Sequence, residues 1–268
     1  VKSESLPYTV IYTPSVTYEH IDLNLDNPIL KDVRVRQALV YAANREEIVK
    51  APFEGKQEVA DHFVSPKDPW YTNDPKLVKI YRYSRREAQK LLDDAGWKMG
   101  PDNVRTKNGK KLSLIFMTTA GNKTRELVQV YLQEQWKQVG VDVQIKNEPA
   151  RVYFSETTKK RKFDGLAMYA WVSSPENNPK SNVTTKNIPS EKNGWSGQNY
   201  SGWSNKNVDQ WCEALDGEFN ANKRRELAIK IEKAYSEEVP VIPLFYRSDI
   251  SVVPPTLKNY VPTGHQYA

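Results

Sequence analysis

The chain contains a single cysteine, Cys212, so it forms no internal disulfide and offers no cysteine-based metal cluster. Its place after Trp211 in a helical pattern reads as a buried structural thiol. Histidine is almost as scarce. His20, His62 and His265 are far apart, none with a neighbour at ligand spacing, which argues for hydrogen-bonded or surface histidines rather than a metal site. No apolar run approaches the roughly 20 residues of a membrane helix. The opening VKSESLPYTVIYTP has no basic and apolar leader pattern, which fits both a processed start and an internal piece of a longer protein. Catalytic signatures are missing as well. There is no G-x-S-x-G, since Gly194-Trp-Ser-Gly has the wrong spacing, and no phosphate-cradling glycine loop follows a strand. No catalytic residue, metal or cofactor is therefore expected.

What is present is ordinary for a globular protein of 268 residues, with 38% hydrophobic and 11% aromatic residues. The formal charge of +6 raises nucleic acid as a partner. The basic runs at 110–111, 159–162 and 223–225 are scattered and flanked by acids, and read as solvated helix ends and loops.

The most organised stretch is 32–49, DVRVRQALVYAANREEIV. Asp32 is suited to cap a helix, and Val35, Ala38, Leu39 and Ala42 fall on one face. Arg34, Arg36 and Gln37 are expected on the water side. Asn44, with Glu47 three residues on, starts a second helix at Arg45. Upstream, 8–12 and 21–25 read as two short strands separated by Pro14. The proline- and aromatic-rich stretch 52–83 reads as an ordered loop. Ser84 caps a helix through Ala95, closed by Gly96. A strand at 112–119, a helix at about 123–138 and a strand after Val139-Gly140-Val141 form a βαβ unit with parallel neighbours. That helix is expected to turn Leu127, Val130, Tyr131, Glu134 and Trp136 inward. Pro149 opens another helix, 165–171 is a strand, helices start near Asn205 or Asn207 and at Asn220, and 241–246 is the last strand. Asp93, Asp94, Glu237 and Glu238 are expected on solvated faces.

The stretch 169–205 carries the strongest binding signal. It leaves the end of a sheet strand, where open α/β sheets place ligands. Trp171, Trp195, Tyr200 and Trp203 supply aromatic walls, and Ser173, Ser174, Asn177 and Asn199 supply short hydrogen-bonding groups. Such a mix suits an extended polar ligand and requires no reactive group. The alternative for the tryptophans is that they pin a loop to the core. A basic, aromatic-rich surface also suits single-stranded nucleic acid, the alternative functional class.

Asp32-Val-Arg-Val-Arg-Gln-Ala-Leu with Asn44-Arg-Glu-Glu-Ile-Val resembles the characteristic segment of the family 5 extracellular solute-binding proteins, the oligopeptide- and dipeptide-binding proteins of ABC importers. Leu91-Leu92 with Ala95-Gly96-Trp97, Phe163-Asp164-Gly165, Trp171, Asn199 to Asp209, and Pro240-Val-Ile-Pro-Leu-Phe-Tyr extend the resemblance from about Ile21 to Tyr260. It implies an α/β fold, a periplasmic-binding-protein type II-like lobe with a mixed β-sheet flanked by helices. Residues 1–253 would form the C-terminal lobe, and 254–268 a tail leading back to another lobe. The resemblance further implies a monomeric, extracytoplasmic binder of peptide or a similar solute that docks on an ABC permease, with no nucleic acid and no cofactor. The expected ligand residues are Trp171, Ser173, Ser174, Glu176, Asn177, Asn199, Tyr200 and Trp203. The family's peptide binders carry Asp-Pro where this chain has Ser174-Pro175. The hydroxyl lacks the charge for an ammonium partner, and Glu176 is the candidate replacement.

Overall fold

The computed structural model describes residues 7–264, so His265 and the last three residues of the expected tail lie outside the described residues. In chain order the elements are β1 (Thr9–Leu23), α1 (Val33–Ala42), α2 (Arg45–Phe53), β2 (Glu58–Val59) and α3 (Arg85–Asp94). A small meander follows, β3 (Lys98–Met99), β4 (Arg105–Lys107) and β5 (Lys110–Lys111). Then come β6 (Ser113–Met117), α4 (Lys123–Lys137), β7 (Asp142–Ile145), the short α5 (Ala150–Val152) with a π-helical turn at Tyr153–Thr158, and β8 (Gly165–Val172). The last elements are α6 (Lys180–Val183), α7 (Lys206–Gly217), α8 (Ala221–Glu238) and β9 (Val241–Val253).

Six strands form one mixed sheet in the order β2-β9-β1-β8-β6-β7. The βαβ unit is present, with β6 parallel to β7 and to β8, while β1 runs antiparallel to both β8 and β9. Gly165 opens β8 at φ +133°, where a Cβ would lie 2.5 Å from the Ile115 carbonyl oxygen; only glycine lets the two strands approach.

The two short strands expected at 8–12 and 21–25 are one long strand, and β9 runs to Val253 instead of stopping at Tyr246. Pro14 is tolerated because the register shifts between it and Tyr18, a bulge that relieves the ladder of one donor.

The capped helix pair forms as expected. Asp32 accepts from the Arg34 N–H and Asn44 from the Glu47 N–H. Arg36 departs from expectation. It is buried, and its guanidinium donates to the carbonyls of Leu30, Lys31, Glu238 and Val239, tying α1 to the C-terminus of α8, where a cation complements the exposed carbonyls. Helix α4 is rotated from the expected face. Arg125, Val128, Gln129, Leu132, Gln135 and Trp136 point inward, and Leu127 and Val130 are exposed. Counting apolar residues alone missed that three inward residues are polar and partnered. Arg125 pairs with Glu19, Gln129 donates to the Phe116 carbonyl, and Gln135 accepts from the Asn44 N–H.

The main core lies between one sheet face and α1 to α4. Ile21, Leu23, Leu166, Met168, Leu114 and Phe116 meet Val35, Leu39, Leu92, Leu132 and Trp136 there. A second cluster joins α7 and α8 to the loops through Trp70, Val183, Trp203, Val208 and Cys212. Cys212 is fully buried, and burial pushes its thiol up to about 12.

Candidate ligand-binding site

A strand turns alternate residues to opposite faces. In β1, Ile21 and Leu23 enter the helix-covered core, while Tyr18, His20 and Asp22 face the other way, level with Trp171, Tyr169 and Ala167 of β8. Over this second face lies a cavity of about 260 Å³. Its floor is Tyr18, His20 and Asp22. Trp171, Val172, Ser173 and Asn177 border it where β8 leaves the sheet. Phe63, Val64, Asp68 and Trp70 come from the loop before α3, Tyr200 and Ser201 from the loop before α7, and Tyr235 from α8. Trp171 and Tyr200 lie 6.0 Å apart at 31° between ring planes, and Tyr169 meets Trp171 edge-on at 5.5 Å. This leaves two partly exposed aromatic surfaces beside polar groups, suited to stacking and hydrogen bonding.

The floor is unusual for its buried polarity. Asp22 accepts from the Tyr169 hydroxyl at 2.5 Å and stands 3.5 Å from His20 Nε2. Burial pushes the Asp22 carboxyl up to about 7, against the Tyr169 hydrogen bond and the charge of Arg161. Burial also pulls His20 down to about 4. Tyr18 is held above the usual phenol range by the same loss of water, and its hydroxyl makes no hydrogen bond. Across the cavity Asp68 accepts from the backbone N–H groups of Trp70 and Glu176, with burial raising its carboxyl against those bonds.

Of the eight residues read from the sequence, the structure brings Trp171, Ser173, Asn177 and Tyr200 to the cavity. Ser174 and Glu176 are exposed on the neighbouring turn. Glu176 holds a left-handed φ of +52°, gives its N–H to Asp68, and turns its carboxylate to within 3.9 Å of Arg224 Nε. Asn199 and Trp203 are buried beneath the loop. The Asn199 amide donates to the carbonyls of Thr184 and Trp203, and Trp203 Nε1 donates to Glu238 at 2.6 Å. Glu238, expected on a solvated face, thus anchors this loop, and also accepts from the Asn205 amide at 2.6 Å. Trp195 is half-buried away from the cavity.

Sequence reading missed the floor itself. The available signal was the i, i+2, i+4 spacing of Tyr18, His20 and Asp22 in a run of strand formers. Asp68 and Trp70 gave no comparable signal, because only the fold carries their loop over β1. Among the described residues, no group of three His, Cys, Asp or Glu is placed to hold a metal ion, and no helix is long and apolar enough to cross a membrane.

Comparison with known proteins gives a consistent picture. Oligopeptide-binding protein AppA of Bacillus subtilis is 39% identical over 132 residues, 48% of this chain and 24% of that protein. The dipeptide-binding protein of Escherichia coli aligns over 253 residues at 25% identity, covering 92% of this chain and 44% of its own length. The crystal structure of an oligopeptide-binding protein from Thermus thermophilus, complexed with a pentapeptide, matches at 33% identity. It superposes with a TM-score of 0.84 over 95% of this chain and 45% of that one. In each case the chain spans less than half the length of the relative. The family model described as bacterial extracellular solute-binding proteins, family 5 (middle), matches residues 2–192, well over half of the sequence. The chain belongs to the family 5 bacterial extracellular solute-binding proteins.

Proposed function

We propose that the protein carrying this chain is the substrate-binding component of an ABC importer and that it takes up peptides. The observation that carries this reading is the cavity at the end of β8, where Trp171 and Tyr200 stand beside short polar side chains and the carboxyls of Asp22 and Asp68. An extended peptide would lay its backbone against Ser173 and Asn177 and its side chains against the aromatic rings. The names of the relatives support the ligand class. Among the described residues, the cavity lining includes no lysine or arginine. That counts against single-stranded nucleic acid, whose phosphates require cations along the path.

In this reading residues 1–253 form one lobe and the ligand is enclosed against a second. The outer part of β9, with Ile250 and Val252 about half exposed, and the following segment, with Val261 80% exposed, would lead towards that lobe. Closure of the two lobes outside the cytoplasm would then present the complex to a membrane permease. Asp68, rather than Glu176, would meet a ligand ammonium in this reading, which its position in the cavity lining supports.

Native mass spectrometry of the full-length natural protein, followed by denaturing release, tests the reading. A spread of short-peptide masses is expected. A single non-peptide mass would move the ligand class while keeping the receptor role, and co-purifying oligonucleotides would overturn it.

A further inference from the structure

We infer that Asp22 and His20 share one proton at the floor of the cavity, and that the recess above them selects a ligand with a basic side chain, which enters as that proton leaves for solvent. The inference rests on the peptide-binding role proposed above and names its preferred substrates.

The proton is located by hydrogen-bond geometry. His20 Nδ1 is 3.2 Å from the Tyr18 carbonyl oxygen, which only accepts, so Nδ1 carries hydrogen. In the neutral ring Nε2 is then a bare lone pair. It makes no hydrogen bond, and Asp22 Oδ1 stands 3.5 Å from it. The other carboxyl oxygen of Asp22 is occupied by the Tyr169 hydroxyl. Two acceptors facing each other in a buried place are tolerable only with a proton between them. Burial favours the neutral form of both groups, so the proton resides on the carboxyl.

Among the described residues, the surroundings supply no competing cation inside the recess. Besides its strand neighbours, Asp22 faces Tyr169 and Tyr153 in the sheet and its adjoining turn, Tyr200 in the loop, and Tyr235 on α8. Arg161, whose positive charge acts on Asp22, donates to Asp26 and to the Tyr200 carbonyl. Glu19 and Arg125 act on His20 from the opposite sheet face with opposing signs. Asp68 stands across the cavity with its own carboxyl raised by burial. An ammonium or guanidinium in the recess therefore meets carboxyls and no cation. Its arrival favours ionised Asp22, and the displaced proton passes to buffer, conserving charge. An uncharged side chain of equal size leaves the proton in place. His62 and Glu232 repeat the arrangement, with His62 Nε2 at 2.8 Å from the Thr72 carbonyl and Nδ1 at 3.5 Å from Glu232. His62 and Glu232 are 2% and 0% exposed, and His62 borders a void of about 10 Å³, about the room for one water, so that pair is closed to a ligand.

The test is calorimetric titration of the full-length natural protein with alanine tri- and pentapeptides carrying one lysine, or one norleucine, at each position in turn. Measurements from pH 5 to 8 in two buffers of different ionisation enthalpy count the protons released. The lysine peptides are expected to tighten about tenfold per pH unit up to pH 7 and to release up to one proton each. The norleucine peptides should do neither, and Asp22→Asn should remove the difference. The proton count on the unmodified protein decides the matter even if that variant does not fold. Lysine and norleucine peptides binding equally at every pH, with no proton released, overturns the inference and leaves the receptor role standing. Binding of neither overturns the receptor reading and this inference with it.

Discussion

The two faces of β1 are equally dry and chemically opposite. Ile21 and Leu23, on the helix side, have no exposed surface; His20 and Asp22, on the other, are 1% and 4% exposed. The difference lies in what packs across from them. Helices α1 and α4 bring Val35, Leu39, Leu132 and Trp136 into contact with the first face and fill the space. Loops and the side of α8 cover the second face and leave a cavity, so polar groups there stay dry without being fully partnered. One face is filled by packing, and the other leaves polar groups beside a cavity, where the proposed ligand would meet them.

The largest expected effect falls on the stability face. Trp136→Ala removes a fully buried indole that donates to the Leu39 carbonyl, and should cost about 3–5 kcal/mol in denaturant unfolding. A loss below about 1 kcal/mol would mean that the helix layer is not the stabilising side.

The cavity face should respond to pH. Asp22, raised to about 7, contributes stability that is fully present below its unfolded value near 4 and is lost as pH rises through 7. His20, lowered to about 4, contributes stability that is present above about 6.5 and is lost as pH falls. Between about pH 4 and 6.5 the two slopes cancel, because folding merely moves one proton from the imidazole to the carboxyl. Asp22→Asn removes one slope. The variant should therefore lose about 1–3 kcal/mol relative to wild type as pH falls from 6.5 to 4. A constant difference across that range would remove the proton from Asp22.

Trp171→Ala should weaken ligand binding by about 2 kcal/mol, roughly thirtyfold in Kd, while melting near the wild-type temperature. Asn199→Ala should do the reverse, lowering stability by about 1–3 kcal/mol through carbonyls left without a donor. Its effect on affinity should be no more than the unfolded fraction explains. The smallest effect is expected at Glu176→Gln, under about 0.5 kcal/mol in affinity, because that carboxylate turns towards Arg224. A large loss there would return the ligand contact to Glu176.

The same contrast explains what could be read from the sequence. The helix side follows local rules. Caps at Asp32, Asn44, Ser84 and Asn220 and the βαβ order from 113 to 145 are all visible in short windows. Errors there came from polar residues that pack inward with long-range partners, as in Arg36 with α8 and Arg125 with Glu19. The cavity side depends on contacts between segments far apart in the chain, such as Asp68 with Glu176 and Trp203 with Glu238. Composition located the loop at 169–205 and drew attention to its aromatics, of which Trp171 and Tyr200 border the cavity. Which of them face a cavity and which hold the loop down was decided by Glu238 and by the 60–72 loop, and no local pattern encodes either.

The most direct test of the account is a crystal structure of the full-length natural protein purified without denaturation. The account predicts peptide density over the floor formed by Tyr18, His20 and Asp22, stacked against Trp171 and Tyr200, with Asn199 and Trp203 untouched. An empty cavity with a ligand bound at another surface of this chain would contradict it.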